Sequence, residues 1–187
     1  MATVSALRFL SPSHCEPGAL ASPLARALDG IDPALVEDLS SHGKVEIRGD
    51  LDLVEAVEGE ELVRLSPRRG FLLTSGDPVD AVDRLRARGV LAYDVTGGYA
   101  GFALHGERLM RRLTDLDLDR VPAAGPLLRV TAIVFRDEGE RFRVYLSQEL
   151  GHDVAEAVLD TVAGLVNEQP GAWLKPGTGG QENEGRA

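Results

Sequence analysis

The 187-residue chain predicts an α+β fold, and three observations carry that prediction. Short apolar/polar alternations typical of strands are interleaved with amphipathic stretches at helical spacing. Gly- and Pro-containing turns join neighbouring alternations as in hairpins, which gives antiparallel sheets with helices packed on one side. The order of these elements recurs in the two halves of the chain. With 43% apolar and 27% charged residues there is enough apolar surface for a core, at a length suited to one domain or two small lobes.

Residues 1–34 are rich in Ser, Pro and Ala and form an N-terminal arm, with at most a short helix from about Pro23 to Leu28. At 44–48, Val45 and Ile47 alternate with Lys44, Glu46 and Arg48, predicting a half-buried strand that ends at Gly49. Leu51, Val54 and Val57 fall at helical spacing behind an acidic first turn, predicting a helix over 50–58. Residues 61–65 and 70–74 form a hairpin around Ser66-Pro67-Arg68-Arg69-Gly70. Asp77-Pro78 caps and opens a helix whose apolar stripe is Val79, Val82 and Leu85 and which stops at Gly89. These elements make a first lobe, residues 35–89.

The second lobe, residues 90–166, opens with strands at 90–93 and 99–105 and a short helix at 107–113. A hairpin follows, with strands at 127–135 and 141–146 around Arg136-Asp137-Glu138-Gly139-Glu140. The last helix, 151–166, carries Val154, Val158, Val162 and Leu165 on one side. Gly97-Gly98-Tyr99-Ala100-Gly101 joins strand to strand and so predicts a hairpin turn or bulge; a phosphate cradle must open a helix. Residues 167–187 have the composition of a disordered tail, in which Trp173 is a candidate partner contact. Asp38-Leu39-Ser40 before one strand echoes Asp94-Val95-Thr96 before another, which points to an internal duplication of a ββαββα-like unit.

The net charge of −10 argues against nucleic acid, whose phosphates need a positive footprint, and against an anionic membrane surface. No apolar run is long enough to span a bilayer and the N-terminus does not read as a secretory signal, so the expected location is cytoplasmic. The lone Cys15 can form neither an internal disulfide nor a Cys-based zinc site, and His14, His42, His105 and His152 lack metal-site spacing, so no metal is expected. Ser40 and Ser41 beside His42 do not make a nucleophile–base pair, because adjacent residues rarely face each other. Asp115, Asp117 and Asp119 alternate with Leu116 and Leu118 as a connector; Asp117 is retained as a ligand-binding candidate. Arg108, Arg111 and Arg112 on one short helix are candidate partner contacts in an otherwise acidic chain.

The segment Asp38-Leu-Ser-Ser-His-Gly-Lys-Val-Glu-Ile-Arg-Gly49 resembles the opening of the folate-binding domain of the glycine cleavage T-proteins, the aminomethyltransferases. Residues 93–125 and 140–160 resemble the later half of that domain, and more closely the gamma subunits of heterotetrameric sarcosine oxidases. The resemblance covers about residues 38–166 and implies an α+β body in a folate-linked one-carbon context, with Asp38 and Asp94, on the family motif, as ligand-binding candidates that could equally hold the strand starts through backbone N–H bonds. It also implies tetrahydrofolate as a candidate ligand and larger flavoprotein oxidase subunits as partners.

Departures from the family pattern shape the functional expectation. The T-protein Thr-Asn-Asp step that follows the first helix is missing; its nearest counterpart, Leu113-Thr114-Asp115, sits in the second half. In place of a Gly-Tyr-Thr-Gly-Glu segment stands Phe135-Arg136-Asp137-Glu138-Gly139-Glu140, and there is no Lys-Gly-Cys-Tyr motif. Five Phe, three Tyr and one Trp leave few rings to stack a pterin. The expectation is therefore a subunit or interaction module that is not catalytic by itself, the alternative being a folate-dependent transferase-like or folate-sensing protein with a degenerate site.

Overall fold

The computed structural model describes residues 22–168. In chain order these form β1 (Val36–Asp38), β2 (Gly43–Arg48), β3 (Glu60–Ser66), β4 (Arg69–Thr74), α1 (Pro78–Ala87), β5 (Leu91–Asp94), β6 (Tyr99–His105), α2 (Glu107–Leu113), β7 (Ala123–Leu127), β8 (Val130–Arg136), β9 (Arg141–Ser147) and α3 (Gly151–Glu168). All strand pairs are antiparallel, in a four-stranded sheet β3-β4-β2-β5 and a five-stranded sheet β1-β6-β9-β8-β7. The fold is α+β.

Alternation along the strands sorts side chains into layers. Val45, Ile47 and Leu72 of the smaller sheet pack with Ala81, Val82 and Leu85 of α1. Phe102, Leu104, Val134, Phe142 and Val144 of the larger sheet pack with Leu109 and Met110 of α2 and Val154, Val158 and Val162 of α3. The opposite faces meet each other, bringing Phe71 and Leu73 of β4 against Ala103, Ile133, Phe135 and Tyr145. Each sheet thus carries helices on its outer face and the other sheet on its inner face. β4 reads Phe71-Leu72-Leu73 without alternation because both of its faces are dry.

Strands are exchanged across the middle of the chain. β1 leaves the elements around it to pair with β6, and β5 pairs with β2. The orders β5-β2-β4-β3 and β1-β6-β9-β8 then match element for element, with β7 as an extra edge strand. α1 starts as its sequence requires: the Asp77 carboxylate accepts from Val79 N at 2.8 Å, and Pro78 occupies the first turn, where its missing N–H costs nothing.

Several sequence expectations need correction. The helix over 50–58 is a single 3₁₀ turn, Leu51–Leu53, because Leu51 and Val54 already reach the core and Gly59, at φ +81°, turns the chain into β3. β2 is not half-buried: Lys44 and Glu46 point into the inter-sheet layer. The predicted strand 127–135 is broken by a turn at Leu128, φ 55°, and its first residue belongs to β7. β7 was hidden because Ala123-Ala124-Gly125-Pro126-Leu127 has weak strand propensity; Pro is tolerated there because the strand is an edge. The short strand β1 was missed for its length. Thr96–Gly98 is a 3₁₀ corner between the two sheets rather than a hairpin turn, since β5 and β6 pair with different partners. Leu24 is fully buried on the larger sheet, so the segment from residue 22 onward packs on the body.

Candidate functional site

The two Asp-x-Ser/Thr motifs form matching corners at the seam between the sheets. Asp38 Oδ1 accepts from Ser40 N, and Asp94 Oδ1 accepts from Thr96 N, each at 2.9 Å. Leu39 N donates to Gly101 O at 2.8 Å while Ser40 Oγ is hydrogen-bonded to Gly101 N at 3.2 Å. In the other corner Val95 N donates to Lys44 O and Lys44 N donates to Thr96 Oγ1, both at 2.9 Å. Lys44 and Gly101 therefore hold equivalent places.

Lys44 is 1% exposed. Its ammonium donates to Ser40 O at 2.8 Å and His42 O at 2.7 Å, and lies 5.5 Å from the centre of the Tyr145 ring. Burial pushes Lys44 down to about 8, against the opposing pull of the Asp38 and Asp94 carboxylates. Burial also lowers His42, assisted by the charge of Lys44, and raises Tyr145. The Tyr145 hydroxyl is buried without a hydrogen-bond partner among the described residues. Around this core Arg143 joins the sheets, pairing with Glu61 of β3 and with Asp137 at 2.7 Å each, and Arg141 pairs with Glu37 of β1 and with Asp137. A buried amine near neutrality is an acid–base group in principle. With Lys44 enclosed among the described residues, its contacts tie the smaller sheet to the Ser40 corner and the Tyr145 ring of the larger one.

The candidates from sequence fall in different places. Asp38 and Asp94, 56 residues apart in the chain, are brought to the same lysine. Asp117 stands apart: its carboxylate accepts from Asp119 N at 3.1 Å and pairs with Arg120 at 3.3 Å, closing the turn before Leu118–Arg120. Arg111 pairs with Glu107 at 2.7 Å along α2, and Glu107 also holds Arg136, which keeps the Glu107 carboxyl below its usual range. Arg112 borders a groove of about 600 Å³ between the end of α2, the β7–β8 turn and α3. Its floor is Leu113, Val130, Leu150 and Val154, its rim carries Asp115, Arg129 and Asp153, and among the described residues no aromatic ring lines it. Trp173 lies outside the described residues.

Lys44 escaped the sequence reading because an alternating Lys-Val-Glu-Ile-Arg run is the pattern of a strand with one wet face, and only the second sheet reverses that. Among the described residues no group of three or more His, Cys, Asp or Glu could hold a metal ion, and no helix is long and apolar enough to cross a membrane.

No protein-family model and no curated protein matches the sequence. Among solved structures, the chain is similar to a chain of the heterotetrameric sarcosine oxidase from Corynebacterium sp. U-96 in complex with pyrrole 2-carboxylate, with a TM-score of 0.68 and 14% identity. The likeness is one of fold. It covers 78% of this chain and 95% of that one, so the architecture described above accounts for nearly the whole of an oxidase chain.

Proposed function

We propose that the protein is a non-catalytic subunit of a sarcosine oxidase-like complex, assembled with larger flavoprotein oxidase subunits in folate-linked one-carbon metabolism in the cytoplasm. The observation that carries this reading is the extent of the fold match: 95% of one chain of a heterotetrameric oxidase is covered, not a domain within a longer chain. Within this reading the two halves are copies of one duplicated unit of the aminomethyltransferase folate-binding type, lobes 35–89 and 90–166 that exchanged β1 and β5. The matching strand orders and the paired Asp38 and Asp94 corners support the duplication. Arg108, Arg111, Arg112 and Trp173 are assigned to partner contact.

The chemistry of the interior favours a scaffold over a transferase. A pterin needs a ring-stacking slot and a carboxylate that can pair with its N–H donors inside a concave site. Among the described residues the α2–α3 groove offers carboxylates only at its rim and no ring, while Asp38 and Asp94 are engaged in their own corners.

Co-expression with flavin-dependent amine oxidase subunits, where the neighbouring genes encode them, tests the reading. Co-elution as one complex on size exclusion is expected; elution of this chain alone overturns it. Calorimetric titration of the isolated chain with tetrahydrofolate at ~100 μM is expected to give no heat, and a saturating isotherm would favour the folate-binding alternative.

A further inference from the structure

At one end the smaller sheet reaches beyond the larger one. Antiparallel pairing sets Leu91 of β5 opposite Arg48 of β2, and Arg48 opposite Arg69 of β4, in one row across three strands. The next row on that face holds Tyr93, Glu46 and Phe71. Phe71 is 3% exposed in the inter-sheet layer, whereas Leu91 is 58% exposed and Tyr93, at the sheet edge, is 44% exposed. A face that is dry at its centre is therefore open one row further on. Arg48, Arg68, Arg69 and Leu91 line a recess there of about 440 Å³.

The charge in this recess is not balanced. Glu46 Oε1 accepts from Arg48 Nε at 3.2 Å and from Arg69 Nε at 2.8 Å, and Arg68 makes no ion pair with any described residue. Two guanidiniums thus share one carboxylate and a third has none among the described residues, in a chain whose net charge is −10. At the equivalent end of the larger sheet the exposed His105 stands in the place of Arg48 and the arginine is paired. There Arg141 stands in the place of Arg69 and is paired with Glu37 and Asp137, and Leu35 stands in the place of Leu91 and packs on the core.

The other free sheet edges carry the guards that soluble proteins use against unwanted pairing: Glu37 on β1, Glu60, Glu61 and Arg64 on β3, and Pro126 on β7. On β5 the Arg86 guanidinium donates from Nε to Ala92 O at 3.0 Å and lies 5.7 Å from the centre of the Tyr93 ring. The central β5 carbonyl is therefore already taken, which disfavours strand addition and leaves Leu91 and Tyr93 as apolar side chains on offer.

We propose that this recess binds an acidic, extended segment of a partner chain. Carboxylates of that segment pair with Arg48, Arg68 and Arg69, whose planar forks match carboxylate oxygens two at a time, and an apolar side chain between them covers Leu91 and Tyr93. The proposal rests on the subunit reading for the existence of a partner, and on the local imbalance of charge for its chemistry. Because the rest of the chain is acidic, the attraction acts at short range, within the roughly 10 Å that 0.1 M salt leaves unscreened.

The test uses the full chain and a fluorescein-labelled peptide of alternating Glu and Val, followed by fluorescence anisotropy, with the Lys–Val counterpart as control. Saturable binding of the Glu–Val peptide is expected, weakened about tenfold by Arg68→Glu and by Leu91→Asp and less by Arg68→Gln, with thermal melts unchanged since both side chains project from the core. Equal binding by wild type and the two charge variants overturns the proposal. So does competition by inorganic phosphate that depends on Arg68 but not on Leu91, which marks a small-anion site. Binding only by a chain ended at Glu168 assigns the recess to this protein's own C-terminal tail, and wild-type self-association lost in Arg68→Glu assigns it to a second copy; either result overturns the proposal. Peptide binding by a chain that fails to co-elute with oxidase subunits retains the surface and rejects the subunit role, so the two failures are separable.

Discussion

The two corners of the inter-sheet seam use one backbone design with opposite contents. Around Asp38-Leu39-Ser40 the equivalent place on the facing strand is Gly101, and around Asp94-Val95-Thr96 it is Lys44. A Cβ on Gly101 would lie 2.6 Å from Tyr145 Cε1 and 3.1 Å from Leu39 O, so the missing side chain makes room for that ring. Lys44 points into the same layer and sets its ammonium over the ring thus admitted. The lesson is that identical hydrogen-bonded frames need not carry identical interiors: a smaller residue on one side and a larger one on the other fill a shared space, and the filling locks the sheets in one relative position.

The largest expected effect comes from removing that complementarity. Gly101→Ala drives a methyl into the Tyr145 ring and the Leu39 carbonyl, with a loss of about 3 kcal/mol in urea unfolding. The same change at exposed Gly97, where a Cβ meets nothing within 4 Å, leaves the midpoint nearly unchanged. An equal loss at both positions would break the complementarity argument.

Next in size is a pH effect. With the Lys44 pKa down to about 8 in the folded state, against an ordinary value of 10.5, the folded chain binds fewer protons than the unfolded one between those pH values. Stability therefore rises with pH across that window, by about 2 kcal/mol from pH 8 to pH 10. Above pH 10 the raised Tyr145 works in the opposite direction, because its folded form keeps a proton that the unfolded form releases. Lys44→Met should flatten the rise measured by chemical denaturation at successive pH values; an unchanged slope would show that Lys44 is not the titrating group.

The hydroxyls sharpen the comparison further. Thr96→Val leaves Lys44 N without its acceptor and Ser40→Ala leaves Gly101 N without its own, and each should cost about 1 to 2 kcal/mol in thermal or urea unfolding. Similar losses are the expectation of matched frames, whereas a loss in one corner only would show that the frames are not equivalent in energy. Smallest are Asp38→Ala and Asp94→Ala, each expected to cost about 1 kcal/mol through the lost bond to Ser40 N or Thr96 N. Either change also removes a carboxylate that opposes the lowering of Lys44, so the onset of the rise in stability should move to lower pH.

Much of the fold was written in local pattern. α1 announced itself through Asp77-Pro78 and the Val79, Val82, Leu85 stripe, and α2 stands at 107–113, where a short helix is expected. The β3–β4 and β8–β9 hairpins were visible as short apolar-rich runs around charged turns. The 50–58 segment was not, because three apolar residues over two turns fit a helix and a single core-anchored 3₁₀ turn equally well. Of the seam, the Asp38 and Asp94 corners were legible as a repeated motif, but the burial of Lys44 and the open arginine recess were not. Whether Lys44 and Arg48, four residues apart on one strand and on the same face, meet a second sheet or water depends on how far that sheet extends.

By itself the sequence determined the class: periodicity separated α1, α2 and α3 from the long strands, and the composition fixed an acidic chain with few rings. Only the tertiary structure decided that β1 and β5 change sheets and that both sheets are covered on two faces. Strand exchange and sheet stacking are settled by contacts between residues far apart in the chain, whose energy no window of neighbouring residues contains. That is the physical reason one lysine became a buried latch while, on the same strand, an arginine became part of an open surface.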